Sequence, residues 1–298
     1  MSGIQVRALT KAYRHLGRAP VNVLHGVDLE VQPGEVVGLI GPNGAGKTTL
    51  MSCIVGFLRP DGGEVSIDGR ASDDLGIRRR TGFVPERMNF DRRATGRAFL
   101  RYMAKLAEVP HAELDARVDA LLERLGLANA QKRLLSQYSR GMLQRIGMAQ
   151  ALVREPEFLF LDEPTSGLDP HGVFLVRELI AEQKARGAAV LLNSHQLAEV
   201  EKVCDRVVFL HKGVIARAET LHDTTRMTID VTLLAGSFDP ATIAEATGLT
   251  PAENVLSATV ASEAEIADLV ARVIGTGAGV IDVRRRTADL ESIFRGTA

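Results

Sequence analysis

Apolar and polar residues alternate with period two over Ile4–Ala8 and over Val27–Val31, which predicts two half-buried strands. Gln32-Pro33-Gly34-Glu35 after the second strand reads as a tight turn. Val36–Ile40 is nearly continuous apolar, the pattern of a strand covered on both faces. It runs into GPNGAGKTTL and a helix that the pattern carries to about Phe57. Residues 95–155 read as helical. Within them Leu114, Val118, Leu121, Leu122 and Leu125 share one face of a helix over His111–Leu125, and Gly126 stops it. A buried strand (Phe158–Leu161), a helix (about Val173–Arg186), a strand (Ala189–Asn193), a helix (Gln196–Cys204) and a strand (Arg206–Leu210) complete the pattern. Strands alternating with helices imply an α/β fold with a mostly parallel sheet and antiparallel strands at the front.

Past about Leu221 the texture changes. Met227–Leu234, Val255–Val260 and Gly279–Val283 read as strands, with helices near Ala241–Ala246, Glu263–Ile274 and Ala288–Phe294. This predicts a domain over residues 1–220 and a small C-terminal α+β accessory domain over 221–298, too short to hold much of a core unless it docks. Composition narrows the classes. The chain has 298 residues, 45% hydrophobic and 24% charged, the balance of a globular protein and not of a disordered chain. Lys+Arg (36) and Asp+Glu (37) leave a net charge of -1, so no nucleic-acid partner is expected. The N-terminus lacks the apolar core of a signal peptide, and no apolar run approaches the roughly 18–20 residues that span a bilayer. A cytosolic chain that does not cross a membrane by itself is the expectation. Cys53 and Cys204 have no metal-ligand spacing and read as buried thiols. Arg78-Arg79-Arg80, a basic run, reads as a solvated edge.

Chemistry concentrates in three segments. GPNGAGKT (Gly41–Thr48) has the spacing of a phosphate-binding loop, between a buried strand and a helix. Its glycines let backbone N–H groups turn inward on an anion, and the helix contributes its positive end. Gly41, Pro42, Asn43, Gly44, Ala45, Gly46, Lys47, Thr48 and Thr49 are the expected nucleotide-binding residues, with Lys47 on the β/γ-phosphates and the Thr48 hydroxyl on Mg²⁺. FLFLDEP (Phe158–Pro164) places Asp162 at the C-terminal end of a strand, where ligands gather in open parallel sheets. An acid there can hold Mg²⁺, and the adjacent Glu163 can orient or deprotonate an attacking water. Between these lies Tyr138-Ser139-Arg140-Gly141-Met142, which offers a hydroxyl and a bare N–H at a helix start. Taken alone, that segment is an N-cap and nothing more.

The order of phosphate loop, YSRGM, LDEP, SGLD (Ser166–Asp169) and Asn193-Ser194-His195 resembles the nucleotide-binding domain of ABC transporters, over about residues 1–220. Phosphate-loop kinases and GTPases lack the YSRGM segment and the later His. The resemblance implies a P-loop NTPase of ABC type, with an antiparallel β subdomain and a helical subdomain at about 87–155. It implies ATP and Mg²⁺ as ligands and ATP hydrolysis as the activity. Tyr13 then resembles the aromatic on which adenine stacks. Ser139, Arg140 and Gly141 fall in the signature segment that meets the γ-phosphate held by the opposite protomer. Glu163 resembles the catalytic base, His195 the switch histidine on the γ-phosphate, and Asp169 the aspartate that crosses the dimer interface.

Every half-site is in one chain, so a homodimer of two copies head to tail suffices. YSRGM departs from the usual LSGGQ at Tyr138, Arg140 and Met142. Glu86, in Gly82-Phe83-Val84-Pro85-Glu86, stands where the family carries its coupling Gln; a Glu there can still coordinate Mg²⁺. YSRGM with VPE resembles a bacterial subgroup that works with separate membrane subunits of the type-2 exporter class. Its members serve drug export, bacteriocin immunity, gliding motility or copper-site maturation of nitrous oxide reductase. The implied partners are therefore transmembrane permease subunits, with a substrate-delivery or accessory protein as a further one, at the cytoplasmic face of the inner membrane. The second reading is a soluble ABC ATPase acting on ribosomes or DNA. Such proteins carry two of these domains in one chain or a long coiled-coil or zinc insertion, and this sequence shows one domain, near-neutral charge and neither insertion.

Overall fold

The computed structural model describes residues 3–14, 19–221, 227–260 and 262–285. The helix expected at Ala288–Phe294 and residues 15–18 lie outside the described residues. The chain divides into two compact units, one running to Glu219 and the other beginning at Thr220.

In the larger unit β1 (Ile4–Tyr13) pairs antiparallel with β2 (Val21–Val31), from Ile4↔Val31 to Tyr13↔Val21. The strand expected to end at Ala8 thus runs on to Tyr13. The alternation breaks because the chain bulges at Ala8 (φ 46°), whose N–H donates to Asp28 Oδ1 at 2.8 Å, and the next core-facing side chain is Leu9. The five residues of β3 (Val36–Ile40) are all buried. α1 (Lys47–Ile54) follows the phosphate loop and ends three residues short of Phe57, because Gly56 takes φ 80° and closes the helix.

β4 (Gly62–Ile67) pairs with β1, and β5 (Arg70–Ala71) with β4. Asp74 caps α2 (Leu75–Arg79), which leads into β6 (Thr81–Val84). The region expected to be helical over 95–155 is three helices: α3 (Gly96–Leu106), α4 (His111–Arg124) and α5 (Arg140–Leu152). The break before α4 falls at Pro110, which cannot continue a helix from the preceding residue. Short 3₁₀ turns at Ala128–Ala130 and Leu135–Gln137 fill the approach to α5. β7 (Phe158–Asp162), α6 (Pro170–Ala185), β8 (Ala189–Asn193), α7 (Leu197–Val203), β9 (Arg206–His211) and β10 (Val214–Thr220) follow. α6 starts three residues before the expected Val173, since Asp169 caps it and Pro170 suits its first turn.

Two sheets result. One has the order β2-β1-β4-β5, and the other β10-β9-β3-β8-β7-β6. In the second sheet β6, β7, β8, β3 and β9 run parallel, so the loops after them open on one edge. Leu39, Leu50, Met51, Ile54, Phe158, Phe160 and Leu191 are fully buried and join the two sheets in one core.

The expected solvated edge at Arg78–Arg80 needs correction at Arg80. Its guanidinium is bonded to Glu157 Oε1 (2.8 Å) and Asp68 Oδ2 (2.9 Å) and lies over the Phe158 ring at 5.3 Å. These partners hold its pKa well above the ordinary arginine value, so it is a fixed cation at the base of β6.

Tyr138, the first residue of the signature segment, is buried, and its hydroxyl donates to Ala130 O at 3.0 Å. A Cβ added at Gly96 would lie 2.0 Å from that hydroxyl oxygen. Gly96→Ala is therefore expected to overpack this contact and cost about 1–3 kcal/mol, read as a lowered thermal midpoint, with partial rescue by Tyr138→Phe. An unchanged midpoint would contradict the packing.

Cys53 and Cys204 are both buried. Burial pushes the Cys53 thiol up to about 11 and the Cys204 thiol higher still. Because only the thiolate reacts, alkylation of the folded protein at pH 8 should be at least ~100-fold slower than of an exposed thiol; rapid labelling of either by iodoacetamide would overturn this.

The smaller unit contains β11 (Met227–Leu233), α8 (Pro240–Thr247), β12 (Val255–Val260), α9 (Glu263–Gly275) and β13 (Val280–Arg285). Its sheet has the order β12-β11-β13 with both pairings antiparallel. Contrary to the expectation of little core, Ile229, Val231, Leu233, Ile243, Leu256, Leu269 and Val273 pack into a buried cluster of its own. The alternating inward positions of β11 and β12 make this possible, since α8 and α9 each add an apolar face to them.

Candidate functional site

The phosphate loop turns between β3 and α1 with Gly44 at φ 81° and Gly46 at φ 105°. A side chain at Gly46 would be strained by the backbone and would meet Val23 O at 3.1 Å, so glycine is required there. Lys47 is buried, and its ammonium donates to Gly41 O (2.7 Å) and Pro42 O (3.2 Å) inside the loop. Burial pulls its pKa down, while the charges of Glu163 and Asp162 push it back up. Pro42 O also accepts from Ala45 N at 3.1 Å. Asn43, Gly44 and Thr48 are exposed on the loop. Tyr13, brought by β1, places its hydroxyl 3.3 Å from Thr49 Oγ1, with its side chain partly exposed beside the start of α1.

Asp162 and Asn193 end neighbouring parallel strands in register, and the Asn193 side-chain amide donates to Asp162 Oδ1. Burial raises the Asp162 carboxyl above its ordinary range. The Asn193 bond lowers it, Glu163 and Glu86 raise it further, and Lys47 lowers it. Glu86 is exposed beyond the end of β6.

Glu163 sits at φ 50°, a left-handed conformation that costs a non-glycine residue roughly 1 kcal/mol or more. Its N–H donates to Asn193 O (2.9 Å), its Oε1 accepts from His195 N (3.0 Å), and its Oε2 lies 2.8 Å from His195 Nδ1. Glu163 is buried while the His195 side chain is 62% exposed, so the histidine presents one side to the carboxylate and the other to the open edge. Strain at a buried acid in the loop edge of a parallel sheet is the kind that accompanies a reacting group.

Ser139 caps α5, its Oγ accepting from Met142 N at 3.2 Å. Arg140 donates to Ser166 Oγ at 2.8 Å, and Gly141 abuts Leu168. Asp169 caps α6 through Gly172 N at 2.7 Å. The signature segment and the SGLD segment thus form one surface. Among the described residues, no hydrogen bond or ion pair joins residues 139–141 to the phosphate loop.

The residues fit a magnesium ion held mainly by nucleotide phosphates and water. Thr48 offers an exposed hydroxyl and Asp162 a carboxylate that like charges disfavour and a cation would favour. Asn193 Oδ1 is buried without a hydrogen-bond partner and suits a metal-bound water. Among the described residues no cluster of three His, Cys, Asp or Glu could bind a metal alone. Asn193 is the participant that sequence reasoning left without a role; its signal is its place at a strand end opposite Asp162, visible only once the register is known.

A family model described as ABC transporter matches residues 24–166. The daunorubicin resistance ATP-binding protein DrrA3 of Streptomyces coeruleorubidus is 35% identical over 91% of this chain and 89% of its own length. An uncharacterized ABC transporter ATP-binding protein of Nostoc sp. is 46% identical over 67% of this chain. The chain spans only 60% of that protein, and 55% of a second cyanobacterial relative. A solved structure of an ATP-binding subunit of an ABC transporter superposes with a TM-score of 0.68 at 35% identity, covering 74% of this chain and 91% of the other. A dimeric bacterial ABC transporter cassette superposes equally well at 27% identity, over 74% and 99%. By sequence over nearly its whole length and by fold, the chain belongs to the ATP-binding proteins of the ABC transporter family.

Proposed function

We propose that this protein is the ATP-binding and ATP-hydrolysing subunit of a transporter. Two copies close head to tail around two ATP molecules and power export through separate transmembrane permease subunits at the cytoplasmic face of the plasma membrane. The observation that carries the reading is the convergence of Lys47, Asp162, Glu163 and His195 on one edge of the parallel sheet, with the surface of residues 139–141 and 166–169 unbonded to that loop.

Lys47 leaves its loop carbonyls for the β/γ-phosphates, and Tyr13 stacks on the base. Thr48 and Asp162 would hold the magnesium ion, with Glu86 close by; when bound, the ion offsets phosphate charge. Glu163, oriented by the His195 N–H, positions a water and takes its proton at a carboxylate oxygen. His195 bonds the γ-phosphate from its exposed side. Ser139, Arg140, Gly141 and Asp169 serve the nucleotide of the other copy, so ATP favours the closed pair by touching both halves only there.

Relatives support the class of work. One is named for daunorubicin resistance, and another, a fluoroquinolones export ATP-binding protein of Mycobacterium tuberculosis, is 36% identical over 73% of this chain. A related cassette was solved as a dimer with ADP and Pi after hydrolysis, and a structural neighbour from Clostridium perfringens is part of a multi-subunit transporter complex. Among the described residues no helix is long and apolar enough to cross a membrane. The smaller unit is the candidate contact for an accessory or substrate-delivery protein. The ribosome or DNA reading is disfavoured by a net charge of -1.

The test is purification of the tagged chain from its host in mild detergent, with mass spectrometry of what comes with it. A stoichiometric protein with several membrane spans is expected. Ribosomal proteins or DNA in its place would overturn the transporter reading.

A further inference from the structure

α7 is the element immediately behind His195, and it has little to hold it by itself. It has seven residues, and Gln196 at its N-cap makes no side-chain capping bond. Isolated helices of this length are unstable, so packing must set its position. Two anchors do so. Val200, fully buried, presses on β3, where a Cβ at Gly38 would lie 2.7 Å from Val200 Cγ1. Glu199 receives two parallel bonds from Arg177 of α6, Nε to Oε2 and Nη2 to Oε1, each 2.6 Å.

The two side chains are 27% and 18% exposed, less than most ion pairs of this protein, and the fork geometry fixes orientation as well as distance. The pair closes a space of about 10 Å³ whose other walls include Pro164, Thr165 and Ser194. That is room for at most one water, so the space is no ligand site. Pro164 follows Glu163 and Ser194 precedes His195, so the pair lies against both strand ends that carry the reacting side chains.

The structure assigns to Arg177 and Glu199 the task of positioning His195 against Glu163. The assignment rests on the hydrolytic reading above. Both act by fixing the first turn of α7, and through it the His195 ring, whose Nδ1 lies 2.8 Å from Glu163 Oε2. Arg177 is borne by the helix that Asp169 caps, so the brace also ties the SGLD segment to the histidine.

The experiment compares Arg177→Met, Arg177→Lys and Glu199→Gln, each in the wild-type and the His195→Ala background, by single-turnover and steady-state ATP hydrolysis. Glu199→Gln keeps the shape of the side chain and a hydrogen-bonding acceptor, so it remains informative if Arg177→Met folds poorly. The expected result is a fall in kcat of about tenfold for Arg177→Met with KM for ATP within twofold, since small misplacements of a reacting group act on turnover and not on binding. Arg177→Lys should recover part of the loss. In the His195→Ala background the same substitutions should have no further effect, because their target is already gone. Equal losses in both backgrounds would show a merely structural role and overturn the assignment, as would unchanged kcat in a wild-type chain that hydrolyses ATP. A wild-type chain without ATP turnover, or one indifferent to His195→Ala, would instead bring down the hydrolytic reading, and the brace with it.

Discussion

Glu163→Gln is expected to lower ATP turnover by about a thousandfold while leaving ATP bound. A general base in place contributes roughly 10²–10⁴ in rate, and an amide cannot take the proton of an attacking water. The substitution is nearly isosteric. Its carbonyl oxygen can accept the His195 N–H as Oε1 does now, and the left-handed backbone at this position is no harder for Gln than for Glu. It also removes one of the two negative charges that raise the Asp162 carboxyl, so repulsion toward a triphosphate falls and affinity should hold or improve. Binding without turnover keeps the closed pair populated. Size-exclusion chromatography with ATP should therefore show a dimer for the variant where the wild-type chain returns to monomer. Turnover within twofold of wild type would remove Glu163 from the role of base.

What could be read from the residues depended on how local the signal was. Val36–Ile40, Ala189–Asn193 and Val255–Val260 are found where the apolar runs place them, since a strand buried on both faces, or alternating over a covered one, writes its own pattern. β4, β6 and β10 escaped notice. Glycines and exposed polar residues interrupt β4, β6 has only four residues, and most of β10 is exposed, so their pairing comes from neighbours already in place. The site divides in the same way. The phosphate loop is contiguous and legible, whereas the bond between Asn193 and Asp162 spans thirty-one residues and exists only through the register of β7 and β8. The fork between Arg177 and Glu199 likewise needs two helices packed side by side before either residue means anything.

Lys47→Ala tests the other half of the site, and its effect should fall on binding. The ammonium acts on Asp162 and bonds two carbonyls of its own loop, and in the nucleotide complex it would carry charge-assisted bonds to phosphate worth about 1.5–3 kcal/mol each. Two such bonds amount to at least ~100-fold in affinity at 1.4 kcal/mol per tenfold. Loss of the lysine also leaves the Asp162 and Glu163 carboxylates without the positive charge that now opposes their repulsion, so an incoming triphosphate meets a more negative edge. The variant loses the two bonds to Gly41 O and Pro42 O, and some intrinsic stability with them. The discriminating quantity is therefore the rise in thermal midpoint on adding ATP, which follows the ratio of ligand concentration to Kd. The wild-type chain should gain several degrees at millimolar ATP with Mg²⁺, and Lys47→Ala almost none. Lys47→Arg should restore little of the gain, because a planar guanidinium is too large for a cradle built on two carbonyls at 2.7 and 3.2 Å. A full ATP-dependent shift in Lys47→Ala would place the triphosphate elsewhere and undo the assignment of this loop.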